Sequence, residues 1–173
     1  MNYKNIIKNI CFLFLFMLIS GCSSPGGQQT ASVPLFPERH GWDLKQVSIS
    51  DADSNIDFKR VNCVWVVGND NKPSDEPKVT ALAEKLVTMA PRNMASIKPD
   101  RYKDFKVADD RFTRKVVLTF KDNSSFTMLI GKPAITKPAY VRLAGQNQVY
   151  KVEEPMLGQI SLDVDSWLAL EEG

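Results

Sequence analysis

Between Leu44 and Val152, short apolar stretches alternate with polar residues and are joined by only a few turn-forming residues. That spacing limits the fold more than any other feature. Parallel neighbours need a crossover of about a dozen residues or more, whereas antiparallel neighbours need only a tight turn. Leu44–Ser50 alternates with Val47 and Ile49 on one face, and the turn formers Asp51-Ala52-Asp53-Ser54-Asn55 precede a second alternation through Ile56, Phe58 and Arg60. Val64–Val67 is a short β-branched run around Trp65. Lys115–Phe120 and Ser125–Ile130, joined by Lys121–Ser124 and closed by Gly131, read as a hairpin. Tyr140–Leu143 and Gln148–Val152 read as another around Gly145-Gln146-Asn147.

Helical spacing occurs mainly once. Ser74 and Asp75 can cap a helix whose apolar face is Val79, Leu82, Ala83, Leu86 and Ala90, with Pro91 as its stop. Glu153–Ile160 and Asp163–Leu170 are two further short helix candidates, the latter with Trp167 and Leu170 facing in. The expected class is α+β: mostly antiparallel β-hairpins packed with two or three helices. Strands followed by a helix occur twice, which suggests a loose strand-strand-helix duplication without a residue-level repeat.

The amino terminus has a different character. Lys4 and Lys8 precede Ile10–Ile19, ten apolar residues without a charge. As a helix these would span about 15 Å, half of a roughly 30 Å hydrocarbon core, so the run suits a signal peptide better than a membrane span. Ile19-Ser20-Gly21-Cys22 follows and resembles a bacterial lipobox. The resemblance implies cleavage between Gly21 and Cys22, thioether lipidation of the Cys22 thiol, and acylation of the new amine by a chain such as palmitate. Ser23, where Asp would favour inner-membrane retention, points to the periplasmic face of an outer membrane, or to the outer face of the plasma membrane in a single-membrane envelope. The expected organisation is a signal peptide over 1–21, a flexible lipid-anchored tether over 22–41 rich in Ser, Gly, Gln and Pro, and one α+β domain over 42–173. Cys11 leaves with the leader and Cys22 is consumed by lipid, so Cys63 stands alone, read as a half-buried inert thiol.

The strand and helix pieces come in a familiar order. Val64-Trp65-Val66 before a capped helix, Tyr102-Lys103-Asp104-Phe105-Lys106-Val107, Val117-Leu118-Thr119-Phe120, Leu129-Ile130-Gly131, Tyr140-Val141-Arg142 and Val149-Tyr150-Lys151-Val152 together resemble the domain-of-unknown-function 4340 family over about Trp42–Leu170. Val61-Asn62-Cys63 departs from the Gly- or Asp-containing turn expected before the tryptophan. The resemblance implies an extracytoplasmic domain and supplies no catalytic residue.

Candidate chemistry is sparse. Asp51, Asp53, Asn55 and Asp57 follow a calcium-loop spacing, but Ile56 stands where the sharp turn needs Gly and Asn62 where the loop needs Glu. His40 is the single histidine, too few for a zinc site. Gly131-Lys132 lacks the rest of a phosphate-binding loop. No metal or cofactor is expected. A carboxylate hydrolase would need acids such as Asp51, Asp53, Asp109 and Asp110 gathered in one cleft, and a small-ligand pocket would draw on Trp65 and Tyr150.

Charge is more informative. Cys22–Glu76 carries a net −3, Pro77–Val152 a net +9 and Glu153–Gly173 a net −6. These balance after the leader is removed, which leaves no basic excess for nucleic acid. Lys98, Arg101, Lys103, Lys106, Arg111, Arg114 and Lys115 form the densest cationic stretch, a candidate face for an envelope protein or an anionic envelope polymer. The expected function is therefore a lipid-anchored cell-envelope lipoprotein acting as a non-catalytic binding or accessory module. A hydrolase and a small-ligand-binding domain are the alternatives.

Overall fold

In a computed structural model, the described residues are 33–131, 138–152 and 160–170. The leader, Gly21, Cys22 and all but the last residue of the expected Glu153–Ile160 helix lie outside them. The strands are β1 (Leu44–Ser50), β2 (Asn55–Val61), β3 (Val64–Val67), β4 (Lys72–Pro73), β5 (Asn93–Ser96), β6 (Val107–Ala108), β7 (Arg111–Phe112), β8 (Arg114–Phe120), β9 (Ser125–Gly131), β10 (Ala139–Leu143) and β11 (Val149–Val152). Among the described residues two α-helices accompany them, α1 (Glu76–Val87) and α2 (Tyr102–Phe105). Nine strands make one sheet in the order β4-β3-β2-β1-β8-β9-β10-β11-β5, and β6 and β7 make a separate ribbon. Every pairing among the described residues is antiparallel, both where short links join the strands and between β1 and β8 and β5 and β11, which are distant in sequence.

Strand alternation sends successive side chains to opposite faces. On one face Val47, Ile49, Ile56, Phe58, Trp65, Val67, Val116, Leu118, Phe120, Met128, Ile130 and Val141 join the buried side of α1 in the main core. Asp75 caps α1, its carboxylate accepting the Lys78 amide at 3.1 Å, and Pro77 fits the first turn. Val79, Leu82, Ala83, Leu86 and Val87 are its buried residues. The helix stops at Val87, short of Pro91, with the Thr88 hydroxyl donating to the Glu84 carbonyl. On the opposite face Leu129 and Val149 form a second cluster with Tyr102, Val107 and Ala108. Gly131 makes that contact possible: a Cβ there would lie 1.8 Å from the Phe105 carbonyl oxygen, so α2 approaches the sheet only because the side chain is missing.

Several expectations need correction. Phe36 is buried in the main core, the Leu35 amide donates to the Met89 carbonyl at 2.9 Å, and Gly41 packs so tightly on α1 that its amide donates to the Glu84 carboxylate at 2.7 Å. The described part of the 22–41 stretch is thus bound to the domain, which begins by Leu35 rather than at Trp42. Asp163–Leu170 is not an α-helix but contains a single 3-10 turn, Asp165–Trp167. Trp167 faces in as expected, whereas Leu170 is 92% exposed. This tail runs instead beside β4, pairing Ser74 with Leu168. Among the described residues there is accordingly no second strand-strand-helix unit. Cys63 is exposed rather than half-buried, because the hairpin between β2 and β3 turns at Asn62-Cys63.

Candidate functional site

The seven cations singled out from the sequence do not form one face. Arg114 and Lys115 are neighbours on β8 and so point to opposite sides of the sheet, Arg114 across from Ile130 and Lys115 across from Leu129. Three of the seven are engaged within the domain. Arg101 pairs with Asp104 at 2.6 Å, Lys103 with Asp110 at 2.9 Å, and Arg114 with Asp51 at 3.0 Å. Lys98, Lys106, Arg111 and Lys115 have no ion pair among the described residues. Lys106 ends α2 in a left-handed conformation, φ 55°.

The carboxylates are equally dispersed. The Asp51 side chain closes the β1–β2 turn by accepting the Asp53 and Ser54 amides at 3.0 and 2.9 Å. These hydrogen bonds, the Asp53 amide first, together with Arg114, hold its pKa below the usual carboxylate value. Asp57 lies on β2 opposite Ser48 and accepts from Gln46, so the calcium-loop spacing is spent on a turn and a strand. The Lys103 ammonium, mainly by its hydrogen bond, lowers the pKa of Asp110. Asp109 pairs with Arg142 at 2.8 Å. Among the described residues no group of three or more His, Cys, Asp or Glu is placed to hold a metal ion.

Sequence reasoning missed Arg142. Its side chain is 4% exposed, and it donates to the Val107 carbonyl at 2.8 Å, the Gln146 carbonyl at 3.3 Å and the Asp109 carboxylate. The guanidinium also lies over the Tyr102 ring at 4.4 Å. It therefore pins the ribbon of β6 and β7 to β10, using the planar fork that only Arg supplies. Its flanking Tyr140 and Val141 look like ordinary strand, which is why a buried charge was not evident there.

Trp65 is buried in the main core. Its amide donates to the Glu76 carboxylate at 2.6 Å and its carbonyl accepts the Ser74 hydroxyl at 2.8 Å. Tyr150, by contrast, lines an open hollow of about 350 Å³ with Val33, Pro34, Leu35, Pro91, Leu143 and Gln146. His40 is exposed and stacks on Trp42 at 4.0 Å.

With these elements in place the chain can be compared with known proteins. The family described as a domain of unknown function, DUF4340, matches residues 65–169, more than half of the chain. The chain belongs to this family. No curated protein and no solved structure matches it. The DUF4340 match starts at the Trp65 strand and takes in α1, the β6–β7 ribbon and the β8–β11 strands, whereas the β1–β2 hairpin lies before it.

Proposed function

We propose that this chain is a cell-envelope lipoprotein, held to a membrane through lipid on Cys22, whose folded domain is a non-catalytic binding or accessory module. One observation carries the reading: the Ile10–Ile19 apolar run, preceded by Lys4 and Lys8, ends in Ile19-Ser20-Gly21-Cys22. Two or three acyl chains give effectively permanent attachment, since each buried CH₂ contributes about 0.8 kcal/mol. Among the described residues no helix is long and apolar enough to cross a membrane.

The distribution of acids supports the non-catalytic part. Asp51, Asp109 and Asp110 each meet a different cation, and Asp53 stands on an exposed turn, so these four acids are not gathered in the one cleft that a carboxylate hydrolase would need. The partner is an envelope protein or an anionic envelope polymer, met through cations left uncompensated on the surface. The test is metabolic labelling with a fatty-acid analogue in the natural chain and in Cys22→Ala. Label is expected in the first and lost in the second; equal incorporation overturns the anchor.

A further inference from the structure

The two edges of the nine-stranded sheet are treated differently. At β4 the edge is closed by the tail, which pairs Ser74 with Leu168 and gives the Ala169 amide to the Pro73 carbonyl. At β5 no described strand pairs with the outer side. This edge is short, bulged where it meets β11, flanked by Pro91 and Pro99, and followed by Lys98. These are the devices that discourage another strand from adding on. Yet the surface beside it is apolar: Val33, Met94 and Ile97 are 67%, 59% and 55% exposed. Met94 stands opposite Tyr150 across β5 and β11, so the two share a face, and Tyr150 in turn lines the open hollow with Val33. The residues from Pro91 to Pro99 include two exposed cations, Arg92 and Lys98, and no acid.

We infer that this surface, Val33, Met94 and Ile97 with Tyr150 and the rim cations, is where the domain rests on a lipid bilayer. The inference rests on the lipid-anchor reading and gives it an orientation. Val33 is the first described residue and is itself part of the patch. Ten residues lie between it and Cys22, and the eleven Cα–Cα steps from one to the other reach at most about 40 Å. The patch therefore lies where the chain leading from the anchor enters the domain. Exposed apolar side chains enter the boundary between head groups and acyl chains, a Tyr ring with a polar tip suits the same depth, and cations beside them meet anionic head groups. A second copy is the weaker occupant, because β5 is built against strand addition.

The test uses the full-length, processed protein bearing Cys63→Ser, with Met94→Cys or Val64→Cys carrying an environment-sensitive fluorophore. Both positions are exposed, so folding is retained. The proteins are reconstituted in phosphatidylethanolamine–phosphatidylglycerol vesicles with and without a head-group nitroxide lipid. Flotation with the vesicles, together with loss of most fluorescence at position 94 and little at position 64, is the expected result. Flotation with equal or no quenching at position 94 overturns the orientation and leaves the anchor standing. Disulfide-linked pairs through unlabelled Met94→Cys, without quenching of the labelled protein, assign the face to a second copy and also overturn it. A chain that fails to float and retains a bare Cys22 by intact mass overturns both readings.

Discussion

Asn62 and Cys63 both adopt left-handed backbone, φ 52° and 68°, and together make the two-residue turn between β2 and β3. Two successive positive φ values are the mark of a type I′ hairpin, for which Asn-Gly is the favoured pair because its twist matches that of the strands. Asn62 suits its place; Cys63 stands where Gly belongs. A non-Gly residue held in that region costs on the order of 1 kcal/mol, partly offset by the extra freedom Gly brings to the unfolded chain. Cys63→Gly should therefore raise stability by up to about 1 kcal/mol, read as a higher denaturation midpoint at unchanged slope. A lower midpoint would show that the thiol makes a contact worth more than the strain. This turn was hard to read because apolar residues flank it on both sides. Val61 and Val64 pair across the hairpin on its exposed face, so hydrophobicity alone continues through the reversal. Handedness of the backbone leaves no trace in an apolar pattern. The result is an exposed cysteine at a place that reads as the start of a buried strand.

Elements with a clear period were legible, and those held by tertiary contacts were not. The strands β1, β2, β8, β9, β10 and β11 alternate visibly, and α1 carries both a cap and an apolar face. By contrast β5 is largely exposed, β6 and β7 have two residues each, and α2 is a single turn fixed by Gly131 and Arg142. None has a long enough pattern to register. The segment before Trp42 was obscured in the same way, since its Pro-rich composition hides one buried ring, Phe36. That segment is tied down at the β8–β9 turn, where Arg39 meets Asp122 at 2.8 Å and lies over the Phe120 ring at 4.6 Å. Asp122 also accepts from the Ser124 hydroxyl and amide, and these bonds, with Arg39, lower its pKa from 3.8 to about 2. A carboxylate with a depressed folded-state pKa stabilises the fold fully above its unfolded value. The contribution is lost as pH falls from about 4 towards 2. In unfolding titrations from pH 6 to pH 2, Asp122→Asn should show a shallower acid loss than the natural chain, with the difference confined to that window. Parallel curves would remove Asp122 from the acid response.

At the scale of the whole molecule, the family match and the folding unit have different boundaries. The match spans residues 65–169, yet β1 and β2 lie in the middle of the sheet, between β3 and β8. Without them β3 keeps only the two-residue β4 as a partner and β8 keeps only β9. The missing stretch also removes Leu44, Val47, Ile49, Ile56 and Phe58, each at most 1% exposed. Full burial of such side chains contributes about 1.5–3 kcal/mol apiece, so their joint loss is on the order of 10 kcal/mol, comparable to the about 5–15 kcal/mol that holds a typical domain folded. A fragment of residues 65–169 should therefore show no cooperative thermal transition and should exchange its amide hydrogens at the rates of an unfolded chain. Residues 33–173, which retain Phe36 and the β1–β2 hairpin, should melt in one transition with protected amides in β1, β8 and β9. A cooperative, protected 65–169 fragment would mean that β3 and β8 can pair directly, and the central place of the β1–β2 hairpin would then be an embellishment rather than a requirement of the fold. The physical reason to expect otherwise is register: Val67 and Trp65 are aligned to Phe58 and Arg60, and Val116 and Leu118 to Ile49 and Val47. A direct β3–β8 pairing would have to recreate both alignments at once with strands of four and seven residues.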